Sequence, residues 1–232
     1  MSADRFIAYH DGFLIEDYNG LRIARLPSIR AIIFDMDGTL TVPVLDFDGM
    51  RGEMGMVGGT PILEAMAAMP PGDRARCDAI LASHEAEAAR TARLSPGAAE
   101  LLDHLAGRRV PIALLTRNSR VSVQAFCARF NVRFDAVHTR EDGANKPSPE
   151  PVWRLCRAMG VEPARALVVG DFLFDILSGQ SAGCPTCLMH QGELPRPAYA
   201  DKADLVVRSL AELIELVELD GPPGGRIRDA GN

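Results

Sequence analysis

Two aspartates, Asp35 and Asp37, stand two residues apart in Ala31-Ile-Ile-Phe-Asp-Met-Asp-Gly-Thr-Leu40, directly behind an apolar run. Residues two apart in a strand face the same side, and Asp37-Gly38-Thr39 reads as a turn, so the pair emerges at the strand's C-terminal tip. Two carboxylates about 4 Å apart repel by about 4 kcal/mol at an effective dielectric near 20. A divalent cation offsets that repulsion, and hard oxygen ligands suit magnesium rather than zinc. Two further acidic candidates, Asp171 and Asp175, follow the run Val168-Val-Gly170, four residues apart and expected on one helical face. Thr116 ends another apolar run, and the amides after it lead into a helix start, a ready site for phosphate oxygens. Lys146, which shares the chain only with Lys202 as lysine, precedes a capped helix; a compact ammonium beside carboxylates suits a bound phosphoryl group. Singly, each residue reads as a turn, a strand-end hydroxyl, a surface charge or a helix N-terminal acid. Jointly they point to an active site.

The elements that must position these groups alternate. Strand-like runs fall at 31–34, 111–115, 136–139 and 166–170, and more weakly at 185–189 and 204–207. Between them lie amphipathic helices. Ser95-Pro96 is expected to open one that Gly107 stops, Ser148-Pro149 one that Gly160 stops, Ser119 or Asn118 to cap a third, and residues 172–182 to form a fourth. This order predicts an α/β fold: a mostly parallel, Rossmann-like sheet with helices on both faces, occupying 30–40 and 95–220. In a parallel sheet the strand tips share one edge, so the acidic groups can converge there.

Residues 41–94 break the rhythm. A Gly- and Met-rich loop and two helical runs, 60–70 and 72–94, predict a small helical cap inserted after the first core strand. Its Arg51, Glu53, His84, Glu85, Arg90 and Arg93 are candidates to touch a leaving group, although each also reads as a solvated position. Residues 1–29, with Asp-Gly and Asn-Gly between β-prone runs, suggest a hairpin-like extension suited to a sheet edge or self-association, and 221–232 a disordered tail.

Composition limits the partners. A chain of 232 residues, 47% hydrophobic, can bury a full core, and its net charge of −6 disfavours nucleic acid. No stretch approaches the ~20 apolar residues that span a bilayer, and no signal peptide is evident, which predicts a cytoplasmic protein without a membrane partner. The five cysteines suit reduced, packed thiols; Cys184-Pro-Thr-Cys187 has redox spacing but leads into a strand rather than opening a helix.

The four segments Asp35-Met-Asp-Gly-Thr39, Leu114-Leu-Thr116, Lys146 before Pro147-Ser-Pro149, and Gly170-Asp-Phe-Leu-Phe-Asp175, in this order, resemble the motifs of the haloacid dehalogenase-like hydrolases. The resemblance spans roughly 30 to 218, and the insertion looks like that family's small cap in its phosphoglycolate phosphatase-like branch. It implies a magnesium-dependent phosphatase acting on a small phosphorylated metabolite, with Asp35 as nucleophile and Asp37 as acid/base. It implies magnesium held by Asp35, the Asp37 backbone carbonyl and Asp171, with Asp175 either behind these ligands or orienting Lys146. Thr116 and Lys146 would bind the phosphoryl oxygens, with Arg117 beside them. Two positions depart from the family pattern: Phe172 replaces a common Ser and Arg117 a common Asn. A dehalogenase is disfavoured because Asp37 supplies a leaving-group acid it does not need, and a phosphonate-cleaving enzyme because 41–94 holds no lysine. A sugar phosphomutase stays open, as does a homodimer; a phospho-accepting receiver domain would order its acidic residues differently.

Overall fold

The structure, a computed structural model, describes residues 26–191 and 197–219, together with the backbone of two short strands, β1 (Ala8–His10) and β2 (Phe13–Ile15). These two pair antiparallel, Tyr9 opposite Leu14. The Asp-Gly between them, the Asn-Gly after them and the C-terminal tail at 221–232 lie outside the described residues.

From residue 31 the chain runs β3 (Ala31–Phe34), α1 (Phe47–Met54), α2 (Ile62–Ala67), α3 (Pro71–Thr91), α4 (Ala98–Arg108), β4 (Ile112–Leu115), α5 (Arg120–Phe130), β5 (Ala136–His138), α6 (Glu150–Met159), β6 (Ala166–Gly170), α7 (Leu173–Ala182), β7 (Thr186–Met189), β8 (Leu205–Val207) and α8 (Glu212–Leu216). Six strands form one sheet in the order β5-β4-β3-β6-β7-β8, every adjacent pair parallel. The order doubles back on either side of β3, so β3 and β6 flank the point where an open α/β sheet leaves a crevice at its carboxyl edge.

The strands read as unbroken apolar runs because both faces are covered. Ile32 and Phe34 face a core built with α4, α5 and α8, through Leu101, Phe126 and Leu213. Ala31 and Ile33 face the opposite core, with Val152, Leu155 and Cys156 of α6. Phe34 is fully buried, and truncating such a ring to Ala costs about 3–5 kcal/mol.

Several local expectations are corrected. Ser95 does not cap α4; Gly97 occupies that position with φ +76°, where a Cβ would strike the Ala211 backbone. Gly107 lies inside α4, which runs on until Arg109 adopts the left-handed conformation. The Gly- and Met-rich stretch holds a helix, α1, rather than a loop alone. Asp46 accepts the Gly49 N–H at 2.9 Å to start it, and Met50 and Met54, one turn apart, bury their side chains in a cluster with Met66, Cys77 and Leu81. That tertiary contact outweighs the poor helix propensity of its glycines.

The chain leaves and re-enters the sheet layer side by side. Thr41 bridges Leu94 antiparallel, Val42 N–H bonds Arg93 C=O at 3.0 Å, and Ser95 N–H bonds Leu40 C=O at 2.9 Å. No helix among the described residues is long and apolar enough to cross a membrane. Cys184 and Cys187 are buried free thiols at the entry to and within β7; burial pushes the Cys187 thiol up, which suits packing and not exchange.

Candidate active site

Asp35, Asp37, Thr116, Arg117, Lys146, Asp171 and Asp175, distant in sequence, all line one cavity of about 580 Å³ at the carboxyl edge of the sheet. Asp35 follows β3 and Asp171 follows β6, adjacent strands in register from Ala31↔Ala166 to Phe34↔Val169. The Asp35 N–H bonds Val169 C=O at 2.9 Å, which extends the ladder to the tip and fixes Asp35 there. Asp171 stands just before α7, not on its face; Asp175, in the first turn, folds back to accept the Phe172 N–H at 3.0 Å.

Lys146 is the hub. Its Nζ lies 2.6 Å from Asp35 Oδ1 and 2.6 Å from Asp175 Oδ1, and the residue is buried. Burial opposes its charge, but Asp175 and Asp35 outweigh that and hold the ammonium above its ordinary value. Burial pushes the Asp35 carboxyl up to about 7 despite Lys146, and Asp171 up to about 8, the latter helped by the charges of Asp35 and Asp175. Asp37 is raised as well, by burial first, while bonds from Asn118 and from Thr41 Oγ1 at 3.3 Å pull the other way.

The donor set fits a hard divalent cation. Carboxylate oxygens of Asp35, Asp171 and Asp175 lie within 4.8 Å of one another, and one added positive charge would relieve the mutual repulsion that raises Asp171. Lys146 and the Phe172 amide engage both Asp175 oxygens, whereas Lys146 engages only one oxygen of Asp35.

Close approach demands glycine twice. Gly38 has φ +81°, and a Cβ there would overlap the Asp171 carboxylate; at Gly170 a Cβ would overlap Asp175. Thr116, buried, accepts the Asn118 N–H at 3.1 Å, and Ser119 caps α5 by accepting the Ser122 N–H at 3.2 Å.

A family model described as haloacid dehalogenase-like hydrolase matches residues 58–189, more than half of the chain. A haloacid dehalogenase-like hydrolase domain-containing protein of Arabidopsis thaliana is 34% identical over 206 residues, 82% of this chain and 84% of that protein. The chain belongs to the haloacid dehalogenase-like hydrolases. It is also 31% identical to an uncharacterized hydrolase of Saccharomyces cerevisiae, covering 83% of this chain and 93% of that one. A phosphoglycolate phosphatase of Rhodospirillum rubrum is 26% identical, over 85% and 95%. CbbY from Rhodobacter sphaeroides, solved in complex with phosphate, shares the fold at a TM-score of 0.63, with 24% identity over 83% of this chain and 100% of that chain.

Arg117 lines the cavity, and its side chain is also anchored to the helical segment. Its guanidinium pairs with Glu64 of α2 at 2.6 Å and lies over the Phe174 ring, 5.2 Å from the centroid. Glu85 is not solvated; it is buried at 2% exposure, accepts from Ser119 Oγ at 2.7 Å and Ser122 Oγ at 3.0 Å, and pairs with Arg140. Glu53 pairs with His84 at 3.0 Å, Arg51 with Asp48 at 2.7 Å and Arg90 with Glu87 at 2.6 Å. Two participants went unnoticed in the sequence. Asn118 donates to the Asp37 carboxylate, and Gln191 Nε2 donates to Gly38 C=O at 3.1 Å. Asn118 carries a faint signal, two residues past Thr116 at the same tip; Gln191 carries none.

Proposed function

We propose that this hydrolase is a magnesium-dependent phosphatase of a small phosphorylated metabolite, acting through an aspartyl-phosphate on Asp35. The observation that carries the reading is the bridge of Lys146 between Asp35 and Asp175, with Asp171 beside them, where β3 and β6 end.

Asp35 attacks phosphorus from the strand tip, and the ester P–O bond breaks as Asp37 gives its proton to the leaving oxygen. Burial raises Asp37, which favours the protonated form needed for that donation, and Asn118 and Thr41 fix the direction of its carboxyl. Asp37, then deprotonated, takes a proton from water; the water oxygen attacks phosphorus and the P–O bond to Asp35 breaks, releasing phosphate. Lys146 and Thr116 stabilise the charge on the transferring oxygens in a site that needs little reorganisation. Asp35, Asp171 and the Asp37 backbone carbonyl would hold magnesium, which when bound neutralises phosphoryl charge. The segment 41–94 acts as a cap over the cavity, limiting it to small esters.

The test is phosphate release from p-nitrophenyl phosphate with magnesium and with excess chelator, for the wild type and Asp35→Asn. Turnover that needs magnesium and disappears in Asp35→Asn is expected. Equal activity in chelator, or undiminished activity in the variant, would overturn the proposal.

A further inference from the structure

The cavity wall facing the carboxylates is apolar. From the helical segment it receives Leu45, Phe47, Ile62 and Leu81, and from the turn after β6 it receives Phe172 and Phe174. Phe47 is 49% exposed and Phe172 51%, so two large rings stand half-uncovered at one site, although most exposed apolar side chains elsewhere are aliphatic. The Phe172 ring is held edge-on by Phe174, with centroids 5.2 Å apart, and by Tyr199 at 5.9 Å. Two to three aromatic side chains in van der Waals reach of each other form a firm platform at low entropic cost.

The polar groups of this wall are mostly committed. Arg51 pairs with Asp48 and Arg117 with Glu64, so each guanidinium already carries a carboxylate that offsets its charge. Glu85 is saturated by Ser119, Ser122 and Arg140. One buried donor stays unpaired, Arg51 Nε. A sugar alcohol entering here would strip several hydroxyls of water without partners, at a cost that discriminates strongly against it.

Resting on the phosphatase reading, we infer that the leaving group is an aromatic or compact apolar alcohol, seated between Phe47 and Phe172, and not a polyhydroxylated sugar or a second phosphate. The ring lies against Phe172 and Phe174, and the phosphoryl group reaches Asp35.

The experiment compares kcat/KM, with magnesium, for 2-phenylethyl phosphate and glycerol 1-phosphate. Both are primary alkyl esters, so the ratio reads the alcohol's fit and not its leaving ability. The phenylethyl ester should be favoured by at least about 10-fold, the scale of burying one ring. Phe172→Ser and Phe47→Ser, both at half-exposed positions, should each cut that ratio several-fold. Turnover with a ratio near or below one, or a ratio unmoved by both variants, would overturn the inference and leave the phosphatase reading standing. No phosphate released from either ester or from p-nitrophenyl phosphate would overturn both.

Discussion

Asp175 Oδ1 holds the Lys146 ammonium at 2.6 Å while the other oxygen of Asp175 accepts the Phe172 N–H at 3.0 Å. One side chain thus fixes the cation and starts α7. Asp175→Asn should lower kcat/KM by about 10–100-fold, as the loss of a group that orients a catalytic one does. Lys146→Met should cost about 3–5 kcal/mol of stability without metal, because it removes the ammonium that pairs with both Asp35 and the buried Asp175. Denaturant unfolding in chelator measures it; an unchanged midpoint would contradict the hub.

Gly170 touches no substrate, yet Gly170→Ala should be nearly as damaging as removing a catalytic group. The added methyl occupies the space of the Asp175 carboxylate. A displacement near 1 Å can cost about 100-fold in rate. Steady-state assays should show that loss chiefly in kcat. Full activity would mean that Asp175 can sit elsewhere without consequence.

The raised carboxyls set the sign of a pH effect. Asp35 titrates at about 7 and Asp171 at about 8 in the fold, against 3.8 as the ordinary value. Between those limits the native state keeps protons the unfolded chain has lost, so in chelator these groups favour folding at low pH, and stability declines as pH rises through about 4 to 8. Magnesium must displace the same protons, so its affinity should climb over the upper part of that window. Thermal melts in chelator at about pH 5 and pH 8.5, with magnesium titrations at about pH 6 and pH 8, read both. A magnesium affinity flat with pH would reject the assignment.

Glu85 ties α3 to the start of α5 through Ser119 and Ser122, and to Arg140. Glu85→Ala leaves Arg140 short of its buried partner, and a loss of about 3–5 kcal/mol follows. For a chain of this size the melting temperature should fall by roughly 10 °C. Glu85→Gln, which keeps acceptors for the hydroxyls, should fall less; equal melting of all three proteins would exclude the tie.

What could be read from the sequence was whatever the local chain encodes. β3, β4 and β6 announce themselves because both of their faces are covered, and Asp35, Lys146 and Asp171 stand at tips that topology brings together. What escaped depends on partners far along the chain. α1 looks like a glycine-rich loop until Met50 and Met54 meet Cys77 and Leu81. Glu85 reads as a solvated charge, and the tie of Arg117 to Glu64 goes unread, because Arg140 and Glu64 are distant in sequence from their partners. Gly107 failed as a helix stop because the left-handed turn came two residues later, at Arg109, whose C-cap bonds close the helix.

The paired crossing at Thr41 and Leu94 has a consequence for how such a protein can change over time. An insertion whose two ends are already hydrogen-bonded neighbours can be lengthened, shortened or exchanged like a cassette, because the sheet sees only a tight two-ended stub. Asp35, Asp37 and Asp171 stand at the sheet, and most of the apolar wall comes from the segment between Thr41 and Leu94. On the proposed reading, new specificities would arise by swapping the insert while the chemical step is inherited intact.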